Sequence, residues 1–326
     1  MNRKRTVTIA VIVVLLLILG FGVFGWRRTR PDALPLSDSP LSAALRSHVE
    51  FLAGELGERN AAYYSELRRA EEYIAAEFAA AGYSVQTQSY RIGDKSYSNL
   101  IASRTGKAVP REVVIVGAHY DTASTPGADD NASGVAGLLE LARLFSSEET
   151  ARTVRFVAFV NEEPPFFRTE EQGSRVYVRW GMDPRETVVG AVILEMIGYY
   201  TGSPRSQRYP PPLGFGYPTA GNFIAVVGNL PSRRLTKRVV AAFSAGSPFP
   251  VESVSAPGFI PGLDLSDHRS FWLEGIPAVM VTDTAFFRNP HYHRASDTPE
   301  TLDYRSMAEV VRGLEGVIRA LANPRE

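Results

Sequence analysis

The sequence predicts an α/β domain: a three-layer sandwich in which a mixed, mostly parallel central sheet carries helices on both faces, preceded by one N-terminal transmembrane helix. Three observations predict it. Short apolar runs such as residues 113–117 (VVIVG) and 154–160 (VRFVAFV) have the character of strands covered on both sides. Segments of helical spacing separate these runs, the alternation expected of an α/β sheet. One uncharged run of twenty residues stands apart at residues 7–26.

That run comes first in the chain. At ~1.5 Å per residue it spans roughly 30 Å, the thickness of a bilayer core. Arg3, Lys4 and Arg5 precede it, Arg27, Arg28 and Arg30 follow, and Trp26 sits where an interfacial anchor would. A cleaved signal peptide has an apolar region of ~7–15 residues ending at small side chains, so a retained anchor is the expectation. The flanking basic residues balance, which makes the positive-inside rule a tie. Long C-terminal domains translocate largely regardless of charge, and the bulk of the chain is expected outside the cytoplasm. Residues 1–6 read as a short basic tail, 27–40 as a Pro-rich linker, and 41–326 as the folded domain.

Composition narrows the chemistry. The chain of 326 residues has 35 basic and 35 acidic side chains, five His and no Cys. Zero net charge argues against a nucleic-acid partner. The absence of Cys excludes disulfides, thiolate metal sites and a cysteine nucleophile, so any metal must bind through His and carboxylates.

Within the domain, helices are expected at residues 41–56, 64–81, 135–145 and 304–321, and strands at 85–90, 99–103, 113–117, 154–160, 188–197, 223–227 and 276–281. Ligands of such sheets sit at the carboxyl ends of the strands, and here those ends carry acids and histidines. His119 and Asp121 follow VVIVGA; two apart in extended chain, they face the same way, and Asp121 can accept the second ring proton of His119. Asp129 and Asp130 open the next helix among small residues, a composition that also suits a helix cap. Glu162 and Glu163 end the strand VRFVAFV; one can bind a metal while its neighbour holds a water. Glu195 lies inside an apolar strand, where a carboxylate is costly unless paired or metal-bound. His291 and His293 come late, followed by Asp297; only one of the two histidines need be a ligand. Nitrogen and oxygen donors without sulfur suit Zn²⁺, with Mn²⁺ or Co²⁺ as substitutes. Five ligands, one of them bridging, is the count for a two-metal site.

Taken in order, GAHYDT, PGADDNASGVAGLLELAR, NEE, LEMIGY, SDHRSFWLEGIPAVMVTDT and YHRASDT resemble the successive motifs of the co-catalytic zinc aminopeptidases. That family includes secreted bacterial leucyl aminopeptidases and aminopeptidase Y and is related to glutamate carboxypeptidases and glutaminyl cyclases; the resemblance runs from residue 41 to the C-terminus. It implies two Zn²⁺ ions. His119 would bind one, oriented by Asp121; Asp130 would bridge both; Glu163 and His293 would hold the other; Glu162 would be the general base. Glu195 falls where the family usually has an Asp ligand. The resemblance also implies a strained, often cis, Asp130–Asn131 peptide. Asp129 is then a cap or a support, His268 structural or pocket-lining, and His291 and His48 lie off the metals. The implied activity is an exopeptidase removing N-terminal residues from peptides, or from small amides with a free N-terminus, through a metal-activated water. A glutaminyl cyclase using a single zinc, a carboxypeptidase, and a catalytically dead membrane-tethered binding protein are the alternatives. Residues 199–217, rich in Pro, Gly and Tyr, could roof the pocket or form an ordinary surface loop. Oligomeric state is left open.

Overall fold

The computed structural model describes residues 36–323 apart from 212, 213 and 215. The run at 7–26 lies outside the described residues, and among those described no helix is long and apolar enough to cross a membrane. The first helix, α1 (Pro40–Val49), starts within the segment read as linker. Ser39 and Ser42 cap it reciprocally, each side chain taking the other's backbone N–H, and Pro40 occupies the first turn, where its missing N–H costs nothing. The helix continues as a π-helical segment (Glu50–Leu56). α2 (Tyr64–Ala80) follows, and the chain leaves it through Gly82 at φ +89°.

Then come the hairpin β1 (Val85–Ile92) and β2 (Lys95–Arg104), β3 (Val109–His119), α3 (Gly134–Phe145), β4 (Arg152–Phe159), the short α4 (Gly173–Val176) and β5 (Thr187–Glu195). The chain continues through β6 (Ile224–Asn229), α5 (Arg233–Gly246), β7 (Val251–Ala256), α6 (His268–Leu273), β8 (Ala278–Thr282) and α7 (Tyr304–Ala322). The eight strands form one sheet in the order β1-β2-β4-β3-β5-β8-β6-β7. The pairs β3/β4, β3/β5, β5/β8 and β6/β7 are parallel, and β1/β2, β2/β4 and β6/β8 antiparallel, so the sheet is mixed and mostly parallel.

Strand β3 shows why the apolar runs sit at the centre. Val114 and Val116 point into the core shared with α1, α2, α3, α5 and α7, while Val113 and Ile115 point the other way, onto Tyr177, Val178 and Phe271. A strand between two helical layers has no polar face to offer water. Four elements went unpredicted: the short helices α4 and α6, and also α5 and β7. α5 begins with Arg233, Arg234, Lys237 and Arg238, and only Leu235, Val239 and Phe243 form its buried stripe. β7 (VESVSA) has too few apolar residues to mark a strand. The reading of β5 through residue 197 overran: the strand ends at Glu195, and Met196 turns the chain at φ +51°.

β3, β4 and β5 run parallel side by side, so their carboxyl ends bring His119, the Glu162–Glu163 turn and Glu195 to one edge of the sheet. The packing beneath that edge is tight at Gly117, where a Cβ would lie 2.5 Å from Phe159 Cε2 and 3.2 Å from Ile193 Cδ1. Gly117→Ala is expected to overpack this spot and destabilise the domain by about 1–3 kcal/mol. A urea midpoint unchanged by the substitution would contradict this packing.

Candidate metal centre

Five side chains named from the sequence converge at the strand ends. His119 Nε2 lies 3.4 Å from Asp130 Oδ1 and 3.3 Å from Glu195 Oε2. His293 Nε2 lies 3.1 Å from Asp130 Oδ2 and 3.1 Å from Glu163 Oε1. These make two trios, His119–Asp130–Glu195 and Asp130–Glu163–His293, each with donor atoms within 4.8 Å of one another. Asp130 belongs to both and turns one oxygen to each. All five but His293 are buried; His293, with its side chain 34% exposed, forms the open side.

The backbone around each donor is held by a small set of buried polar groups. The Asp121 carboxylate accepts the N–H of Glu162 and of Glu163, each at 3.0 Å, and so fixes the turn that presents both glutamates. Asp121 also stands beside His119, as expected. His119 Nδ1 lies 3.1 Å from the backbone carbonyl of Asp121 and 3.6 Å from its carboxylate, so both can hold the ring proton. The outcome for His119 is the same: with Nδ1 donating, Nε2 faces the acids as an acceptor able to bind a metal.

Asp297 does for Asp130 what Asp121 does for the glutamates, accepting the backbone N–H of Asp129 at 2.9 Å and of Asp130 at 3.1 Å. Asp129 caps no helix N–H. Its oxygens accept from Gly198 N–H and the Asn289 amide, tying the β5 turn to the late loop that carries His293. Asn131 donates to Leu194 O and accepts from Met196 N–H, locking the same turn. The Asp130–Asn131 peptide is cis, as the resemblance implied. Ser266 Oγ donates to Glu195 Oε2 at 2.6 Å.

Behind the site lies Arg59, fully buried, whose guanidinium donates to the carbonyls of Leu52, Gly57, Tyr120, Pro126 and Gly127. Neither Arg59 nor the clamping role of Asp297 was visible in the sequence, since their partners are backbone groups remote along the chain. The other histidines lie off the centre. His268 is buried against Trp272 and bonds Leu263 O at 2.7 Å; burial pushes it down to about 4. His291 meets Ser296, and His48 lies between Tyr73 and Glu140.

The donors fit a metal pair on their own chemistry. His119 Nε2, Asp130 Oδ1 and Glu162 Oε1 are buried without a hydrogen-bond partner, the state a cation or its bound water resolves. Without a cation the cluster binds protons instead. Burial alone would lower His119, yet Glu195, Asp121 and Asp130 outweigh it and push it well above the ordinary range. Burial likewise opposes the charge on His293, but Asp130 and Glu163 raise it to about 10. Burial, reinforced by Asp130, pushes Glu163 up to about 7.

A cleft opens beside Glu195 and Tyr292. Phe223, Met280 and Leu263 line it, and so do Gln207, Tyr209 and Tyr217 from the range 199–217, so described residues of that loop belong to the pocket wall.

Two outcomes are expected. Arg59→Met leaves several buried carbonyls without a donor and should destabilise the domain by about 3 kcal/mol or more, measured by denaturant unfolding; a loss under about 1 kcal/mol would contradict the assigned role. Metal uptake should release protons. A histidine raised from 6.5 to about 10 stabilises the metal-free fold below about 6.5, and that contribution fades as pH rises toward 10. Zinc needs the neutral ring, so apparent affinity should rise between pH 6 and 8, with calorimetric heats that depend on buffer ionisation enthalpy. Buffer-independent heats would count against it.

Comparison with known proteins agrees with this geometry. Residues 99–317 match the family model described as Peptidase family M28. The chain is 41% identical to "Uncharacterized protein YfbL" of Escherichia coli (strain K12), over 98% of this chain and 99% of that one. It is 26% identical to "Probable leucine aminopeptidase 1" of Trichophyton verrucosum, over 84% of this chain and 70% of the relative. Among solved structures, the zinc aminopeptidase BSAP of Bacillus subtilis superposes with a TM-score of 0.69 at 16% identity, covering 90% of this chain and 97% of that one. A glutaminyl cyclase of Bacteroides thetaiotaomicron superposes at 0.64 and 19%, covering 85% and 97%. The two superpositions establish the shared fold; the family match covers most of the chain, and the protein belongs to peptidase family M28.

Proposed function

We propose that this M28 peptidase is a two-zinc aminopeptidase. The observation that carries the reading is Asp130, which turns one oxygen to the His119–Glu195 pair and the other to the Glu163–His293 pair. His119, Asp130 and Glu195 would hold one ion, and Asp130, Glu163 and His293 the other. Zinc bound there supplies an acidified water and a polarised carbonyl.

The chain's own groups do the rest. Glu162, buried and with Oε1 free of partners, takes a proton from the attacking water and returns it to the leaving amine. Burial first, then the charges of Glu163 and Glu195, raise its pKa, which suits a group that must both accept and release a proton. Asp121 holds Glu162 and Glu163 in register through their amides. The α-amino group of the substrate sits against Asp130 and Glu195, and the side chain of the first residue enters the neighbouring cleft. A cyclase reading needs only one zinc, and the completeness of the second trio favours the hydrolase. On the same footing, the run at 7–26 is proposed to tether the enzyme to a membrane with its catalytic domain outside the cytoplasm; resistance to alkaline carbonate extraction tests the tether.

Glu162→Gln should lower kcat on aminoacyl-nitroanilides by about 10²–10⁴-fold while the zinc-loaded protein keeps its melting temperature. Activity within a few-fold of the parent enzyme would remove Glu162 from the mechanism. A panel of aminoacyl and amino-blocked nitroanilides, with and without chelator, tests the exopeptidase reading itself.

A further inference from the structure

One wall of the cleft is held from behind by a buried cation. Gln207, Phe223, Thr284 and Ala285 line the cleft together with Glu195. Arg288 lies buried behind them. Its Nε donates to Gln207 Oε1 at 2.8 Å, and its Nη1 donates to Tyr199 O at 3.4 Å. Its guanidinium carbon stands 4.5 Å from the centre of the Phe223 ring and 5.6 Å from that of Tyr200, within cation–π range. The chain closes over it at Gly221, where a Cβ would lie 2.7 Å from Arg288 Cδ. Burial disfavours the charge, and the Asp283 carboxylate opposes that most.

The wall needs such a support. Thr284 has φ +88° and Ala285 φ +48°, left-handed conformations that persist in residues with a Cβ only when their surroundings over-determine them. Two side chains fix this turn. Asp283 accepts the N–H of Ala285 and of Tyr199, each at 2.9 Å, and Gln207 Nε2 donates to Thr284 Oγ1 at 2.9 Å. Arg288 serves both, as the cation that opposes the burial of Asp283 and as the donor to Gln207. An apolar side chain would fill the space at lower cost, since Nη2 of Arg288 is buried with no hydrogen-bond partner.

We propose that Arg288 is a positioning residue that sets substrate specificity. It holds Gln207, Phe223 and the turn at 283–285 rigid, so that the cleft selects the first side chain of the substrate by shape. The inference rests on the aminopeptidase reading. Its test uses leucine and norleucine, whose side chains are isomers, so that a difference between them reports the wall and not hydrophobicity. With zinc-loaded full-length enzyme, kcat and KM are measured for leucyl- and norleucyl-aminomethylcoumarin, parent against Arg288→Met. The parent is expected to separate the two by about tenfold or more in kcat/KM, and Arg288→Met to bring the ratio within about twofold of one. The change should fall on KM, with kcat on the preferred substrate moving less than about threefold. Arg288→Lys, which keeps the charge and a donor for Gln207, should restore a ratio of about fivefold or more. Gln207→Leu breaks the same support from the loop side and should level the ratio too, which keeps the test open should Arg288→Met not fold. A ratio near one in the parent, a ratio that these substitutions leave unchanged, or a loss confined to kcat or melting temperature overturns the proposal. If neither substrate turns over, the aminopeptidase reading fails on its own. The ratio is then measured by calorimetry, as leucinamide against norleucinamide binding to the parent and to Arg288→Met, and there too a ratio near one in the parent overturns the proposal.

Discussion

Like charge crowded into a dry space is the constraint around which this molecule is organised. Asp130, Glu162, Glu163 and Glu195 are all buried at one edge of the sheet. Two carboxylates held at the 4.8 Å spacing of the trios repel by about 3–4 kcal/mol at an effective dielectric of ~20. Two imidazoles and the remote Arg59 guanidinium offset part of this. The remainder calls for either protons or divalent cations, and His119 Nε2, Asp130 Oδ1 and Glu162 Oε1 are buried there without a hydrogen-bond partner. The rest of the architecture keeps the acids from relaxing apart. Parallel strands fix three of the loops, and the carboxylates of Asp121 and Asp297, each accepting two backbone amides, fix the turns on which the donors ride.

This division of labour explains what could be read from the sequence. The donors were legible because their chemistry is conspicuous: an acid at the end of an apolar strand, as at Glu195 or Glu163, has few ordinary reasons to be there. The central strands were legible for the same reason, since VVIVG and VRFVAFV have no polar face. The supports were not. Arg59 bonds carbonyls from four separate places along the chain, and Asp297 bonds amides some 167 residues away, so neither leaves a local pattern. Asp121 was placed beside His119, but its hold on the amides of Glu162 and Glu163 was not foreseen, because spacing shows which side chains are neighbours and not every donor each will serve. α5 and β7 escaped because their buried residues are few and widely spaced; β7 is the edge strand of the sheet and its residues 252–254 line the cleft.

Glu195 shows how a family position is adapted in one chain. A glutamate there is one methylene longer than the usual aspartate, and its extra freedom is taken up by Ser266, whose hydroxyl pins Oε2 beside His119. Ser266 lies in the loop before α6, and the neighbouring Leu263 and Leu265 line the cleft. One short segment therefore both orients a candidate metal donor and shapes the cleft.

The most direct measurement is a crystal of the zinc-soaked protein with anomalous scattering recorded on either side of the zinc edge. The account predicts two peaks per chain, one between His119 and Glu195 and one between Glu163 and His293, with Asp130 touching both. A single peak, or peaks elsewhere on the molecule, would contradict it.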